Sequence, residues 1–135
     1  MKRIIYAIGF LALLSSCEIN MIEPRYDERD RVTGYYDLEE YSETYHDYTY
    51  YEVYITKGSY SDETIYLDNF YGANIRVRAI LRNGKITIPY QIVNGYEIDG
   101  TGNLSGSRLT LTYRIKDTYN RGPADFCSAR TTITW

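Results

Sequence analysis

From Val32 to the end of the chain, apolar and polar residues alternate with a period of two, and turn residues interrupt the alternation at short intervals. That pattern is the signature of an all-β sandwich or barrel. It predicts eight strands, over Val32–Tyr41, Tyr48–Lys57, Thr64–Phe70, Ile75–Leu81, Lys85–Ile92, Tyr96–Leu104, Arg108–Lys116 and Phe126–Thr134. No stretch keeps an apolar period of 3.6 long enough to define a helix. The gap from Asp117 to Asp125, with Asn120, Gly122 and Pro123, reads as a loop.

Register follows from the turns. Asn83-Gly84 supplies the two positive φ angles of a type I′ turn, so the fourth and fifth strands form a two-residue hairpin. Leu81 then pairs with Ile86, Ala79 with Ile88, Val77 with Tyr90 and Ile75 with Ile92, all on one face. Arg76, Arg78, Arg82, Thr87 and Gln91 share the other face, and Pro89, which lacks a donor, marks a bulge or an open edge. Setting Lys57 opposite Glu63 pairs Ile55 with Ile65 and Val53 with Leu67, and on the far side Tyr54 with Tyr66 and Tyr50 with Phe70. The aliphatic side is the core, because branched side chains leave no polar end to satisfy. Leu109, Leu111, Tyr113 and Ile115 face inward in the same style, and Val93–Glu97 is taken as a longer loop with Ile92 near Ile98. Consecutive hairpins of this kind predict a small eight-stranded antiparallel up-and-down meander, closed or partly open as a barrel.

The amino terminus has a different pattern. Lys2 and Arg3 precede an apolar run from Ile4 to Leu14, broken only by Gly9 and too short to be a stable membrane span. Leu14-Ser15-Ser16-Cys17 follows and resembles the lipobox of bacterial lipoproteins. That resemblance implies diacylglyceryl attachment to the Cys17 thiol, removal of residues 1–16, and a membrane as the first partner. It places the protein in the bacterial cell envelope, at the outer membrane. Residues 17–31 are polar and aperiodic with Pro24, and read as a lipidated tether; the fourteen residues after Cys17 reach about 45–50 Å fully extended and about 20 Å as a coil. Residues 32–135 form a single domain.

Charge and composition narrow the classes. The formal charge is −3, and −5 once Lys2 and Arg3 are gone, which excludes a nucleic-acid partner of the usual basic kind. Glu39, Glu40, Glu43 and Asp47 read as a solvated rim, with a weak cation site as the alternative. With Cys17 acylated, Cys127 has no disulfide partner and reads as a small buried residue. His46 is the one histidine, and it lies in a polar loop, so a nucleophile triad would depend on it alone and a metal site of several His or Cys ligands is excluded by count. No motif requires a cofactor, and an enzyme is not expected. Tyrosine is the anomaly, at seventeen residues against three Phe and one Trp. Tyr suits strands and half-buried positions, because its ring packs while its hydroxyl stays wet.

Gly34-Tyr35-Tyr36, the run Gly100-Thr101-Gly102-Asn103-Leu104-Ser105-Gly106 leading into Leu109-Thr110-Leu111-Thr112-Tyr113, and the late Cys127 and Arg130 make Val32–Trp135 resemble the short lipocalin-like (calycin-type) barrels of bacterial lipoproteins. The resemblance implies that Tyr36 takes the place of the family's first-strand Trp, with Arg130 packed on it. No Thr-Asp-Tyr motif and no flanking helix accompany it. Two functions follow. One is a small apolar or amphipathic ligand held in the barrel by Tyr36, Val53, Ile55, Leu67, Val77, Ile88 and Leu111. The other is an envelope or host protein or glycan bound on an outward aromatic face of Tyr48, Tyr50, Tyr54, Tyr66 and Phe70, extended by Tyr35 and Tyr41.

Overall fold

The computed structural model describes residues 26–132. Eight strands, β1 (Gly34–Ser42), β2 (Asp47–Lys57), β3 (Thr64–Phe70), β4 (Ile75–Arg82), β5 (Lys85–Val93), β6 (Tyr96–Ser105), β7 (Arg108–Asp117) and β8 (Asp125–Thr131), follow one another in an antiparallel meander. The meander closes: β8 returns to β1 with Leu38 opposite Thr131 and Ser42 opposite Cys127. The predicted all-β, eight-stranded up-and-down barrel is therefore the observed fold, in its closed form. The tail of the eighth predicted strand, 133–134, lies outside the described residues, as do 1–16 and Cys17.

Period-two alternation sends one side of every strand inward. Leu38, Val53, Ile55, Ile65, Leu67, Val77, Ala79, Leu81, Ile86, Ile88, Leu109 and Leu111 make one continuous core. The Gly100-Thr101-Gly102 motif belongs to this packing. A Cβ on Gly100 would lie 2.5 Å from both the Thr112 carbonyl oxygen and the Tyr113 Cβ, so β6 can lie this close over β7 only without a side chain there.

Three registers differ from expectation. The β2–β3 turn closes at Gly58 and Thr64, whose backbone hydrogen bond is 2.8 Å, so Ile55 faces Leu67 and Tyr54 faces Asp68. This two-residue shift leaves every face intact. A bulge does not. Asn69, at φ 64°, is an extra residue between the Asp68–Arg76 and Phe70–Ile75 pairs, and parity reverses after it. Phe70 consequently leaves the outward aromatic face for the core, its ring 4.4 Å from that of Tyr113.

The third difference is at Pro89. Leu81 does face Ile86 across the Asn83-Gly84 turn, but the β4–β5 ladder ends at the Ile80–Thr87 pair. Pro89 would fall opposite Arg78 and has no N–H to give. The Gln91 side chain replaces it, accepting from the Arg78 N–H at 3.0 Å and donating to the Arg78 carbonyl at 2.8 Å. The accompanying bulge turns Tyr90 and Ile92 outward, against the inward placement expected of them. Asn94-Gly95, at φ 50° and 82°, then makes a second two-residue turn, so Gln91, not Ile92, faces Ile98 and no longer loop exists.

The meander gives the barrel two distinct ends. The chain enters beside the 58–63, 83–84 and 106–107 turns, here called the proximal end; the 43–46, 71–74, 94–95 and 118–124 loops form the distal end. At the proximal end the predicted tether is not free throughout. Glu28–Arg31 forms a 3-10 helix capped by Asp27. The buried Arg29 guanidinium donates to the carbonyls of Gly58, Ser61 and Thr64 at 2.9–3.0 Å, and to the Asp27 carboxylate at 2.8 Å. Glu28 accepts from the Asn83 and Gly84 amides at 2.8 and 3.0 Å. Residues that read as solvated linker thus pack onto the proximal end of the barrel, because the Arg29 guanidinium adds donors to the carbonyls around the β2–β3 turn.

Candidate functional site

The two sets of predicted site residues fall on opposite sides of the wall. Tyr36, Val53, Ile55, Leu67, Val77, Ile88 and Leu111 all point inward and are at most 7% exposed. Six pack as aliphatic core, and the Tyr36 hydroxyl donates to the Val32 carbonyl at 2.7 Å. Arg130 does not pack on Tyr36. It lies on the outer surface, opposite Glu39 in register and bonded to it at 3.2 Å, because position 130 has outward parity and position 36 inward.

The outer face of β1 and β2 carries Tyr35, Asp37, Glu39 and Tyr41 opposite Tyr54, Glu52, Tyr50 and Tyr48. Tyr35 and Tyr54 stack with ring centroids 4.4 Å apart, and Tyr41 and Tyr48 meet at 5.0 Å. Tyr35 and Tyr50 are 69% and 68% exposed. Asp37 and Glu52 sit directly opposite each other between these aromatic pairs, an arrangement of like charges that costs stability. Of the expected ladder, Tyr48, Tyr50 and Tyr54 come together, with Tyr35 and Tyr41 extending them. Tyr66 is displaced by the register shift and lies under the Arg76 guanidinium, 4.9 Å away. Phe70 has gone inside.

A third assembly was not foreseen. In the distal half of the barrel Glu40, 2% exposed, accepts hydrogen bonds from the hydroxyls of Tyr51, at 2.8 Å, and Tyr113. Asp125, 5% exposed, accepts from Ser42 at 2.5 Å and from the Tyr71 hydroxyl. Burial lifts the Glu40 carboxyl above its ordinary range, the tyrosine hydrogen bonds pull it back, and the Asp125 charge adds to the rise. Burial also raises the Tyr51, Tyr71 and Tyr113 hydroxyls, which stay protonated as donors. The Cys127 thiol, on the same network, is raised by burial and by both carboxylates, which makes it an inert thiol. Alternation could have flagged Glu40, since it shares parity with Tyr36 and Leu38. Its place beside Glu39 and Glu43 made it look like rim.

Residues 1–17 match the family described as the prokaryotic membrane lipoprotein lipid attachment site. No curated protein matches the chain in sequence. Attachment site and fold together define the class: a lipid-anchored cell-envelope lipoprotein whose body is a closed eight-stranded β-barrel.

Proposed function

We propose that this lipoprotein is a non-enzymatic binding module at the outer membrane, and that the tyrosine face of β1 and β2 is its binding surface. The observation that carries the proposal is the exposure of paired tyrosines, Tyr35–Tyr54 stacked and Tyr41–Tyr48 tilted, on both sides of an opposed carboxylate pair. Contiguous exposed aromatic surface is the usual mark of an interface. Neither Asp37 nor Glu52 meets a basic side chain among the described residues. The surface therefore suits a protein segment bearing Lys or Arg, whose cation would sit between ring faces and carboxylates. A small apolar ligand in the barrel would have to displace Val53, Ile55, Leu67 and Val77, which already fill the interior side by side.

The test uses a mixed-sequence peptide rich in Lys and Arg, titrated onto the full lipidated chain in detergent micelles. Binding that weakens at least tenfold in a Tyr35→Ser/Tyr50→Ser/Tyr54→Ser variant, whose charge is unchanged, supports the aromatic face. Equal affinity for both proteins would reduce the interaction to bulk charge and sink the proposal.

A further inference from the structure

The distal end holds a second, chemically different recess. A cavity of about 210 Å³ opens between the distal loops and is lined by Tyr45, Tyr71, Tyr96, Ile115, Asp117 and Asp125, with Asn120, Gly122 and Pro123 at its rim. It is not part of the tyrosine face, which lies on the outside of β1 and β2. Tyr71 and Tyr96 meet edge to face with centroids 6.4 Å apart, and the Tyr71 hydroxyl fixes the Asp125 carboxylate at the base. Tyr45 reaches across toward the β7–β8 loop, its hydroxyl 4.0 Å from where a Cβ on Gly122 would stand.

Three observations bear on what such a recess would hold. No Lys, Arg or His lines it, whereas two carboxylates do. Behind Asp125 lies Glu40, a second buried carboxylate whose charge is felt with it and whose partners are hydroxyls alone. Among the described residues no ion pair involves Glu40 or Asp125, although seven ion pairs occupy other parts of this molecule. Buried carboxylates ordinarily take a cationic partner, because hydroxyl donors offset only part of the desolvation cost.

The walls decide the kind of cation. Ring faces attract ammonium and guanidinium groups that have shed water, and aromatic cages are the usual receptors for such heads. A volume several times the ~30 Å³ share of one water molecule suits an organic head group better than a bare ion. Among the described residues no three metal-ligating side chains converge, so the chemistry is not that of a metal site.

We propose that this distal cavity binds a small organic cation, an ammonium or guanidinium head group, with Tyr45, Tyr71 and Tyr96 as its walls and Asp125 as its counter-charge. The cavity opens at the end of the barrel opposite the entering chain.

Calorimetric titration of the full lipidated chain in non-ionic detergent tests this, with propylammonium, guanidinium and tetramethylammonium chlorides as probes at constant ionic strength. Sodium chloride and the uncharged tetramethylammonium isostere neopentane-1-ol serve as controls. Saturable binding of at least one organic cation is expected, tenfold or more tighter than that of the alcohol, and weakened at least tenfold in Asp125→Asn. Because Asp125 also ties β8 to Ser42, a Tyr45→Leu/Tyr96→Leu variant provides a second reading, with the same loss expected and no hydrogen bond to Asp125 disturbed. Absence of saturation by any of the three cations, equal binding of the alcohol, or undiminished binding in the tyrosine variant would overturn the proposal.

Discussion

The two ends of the barrel handle buried charge in opposite ways. At the proximal end Arg29 is enclosed with its counter-ion Asp27 and three carbonyls, so each nitrogen of the fork has an acceptor. At the distal end Glu40 is enclosed with hydroxyl donors, and Asp125 with hydroxyls and the Cys127 thiol, and among the described residues neither has an ion-pair partner. The first arrangement is complete in itself and reads as structure. The second holds two buried carboxyl groups without a cation, and one of them, Asp125, lines a recess open to solution.

The largest effect expected is at the proximal end. Arg29→Met takes the guanidinium donors from the Asp27 carboxylate and from three carbonyls, and should lower stability by about 3 kcal/mol in urea unfolding. A loss below about 1 kcal/mol would show the 3-10 helix to be an ornament on a barrel that closes without it. Next comes Gln91→Leu. The amide that stands in for the missing Pro89 N–H disappears, leaving the Arg78 N–H and carbonyl unmatched, and about 1–2 kcal/mol should be lost. Hydrogen exchange should quicken at Arg78 while Leu81 and Ile86, within the ladder, stay protected.

Smaller effects separate the ends by pH. Asp27, held down at about 2 by the Arg29 hydrogen bond, contributes stability that is present above about pH 3.8 and lost as pH falls toward 2. Glu40 acts with the opposite sign. Its raised carboxyl contributes stability that is present below the ordinary carboxylate range and lost as pH rises through the raised value. Glu40→Gln should therefore remove the decline toward neutral pH and gain on the order of 1 kcal/mol at pH 7, leaving the acid limb unchanged. Urea midpoints from pH 3 to pH 8 measure both limbs, and a Glu40→Gln protein less stable than wild type at pH 7 would show its carboxylate to be structural after all.

Much of this architecture was legible in the alternation itself. Eight strands in an up-and-down meander follow from period two and from turn residues such as Asn83-Gly84, because a face with one parity has one place to go; closure comes from the pairing of β8 with β1. The inside–outside misses arise where one residue breaks that parity. Asn69 turned Phe70 from the surface to the core, and Pro89 turned Tyr90 and Ile92 from the core to the surface. Asn94-Gly95 has the same signature as Asn83-Gly84, but a two-residue turn there cannot set Ile92 against Ile98, and only the bulge at Pro89, which turns Ile92 outward, lets Gln91 take that place. The tyrosines of β1 and β2 were legible as a face. The acid–tyrosine network was not, since Glu40, Tyr71 and Asp125 come from three distant parts of the chain and only closure of β8 on β1 brings them together. Arg29 was hidden for the same reason, its carbonyl partners lying about thirty residues downstream.

The central claim is that the outer face of β1 and β2 is where this lipoprotein meets its partner. Site-specific photo-crosslinking in the native envelope tests it most directly, with the reactive residue placed at Tyr50 or, as a control on the opposite wall, at exposed Thr101. The account predicts a discrete adduct from position 50, none from position 101, and loss of the first when Tyr35 and Tyr54 are changed to serine. No adduct from position 50, or the same adducts from both positions, would contradict it.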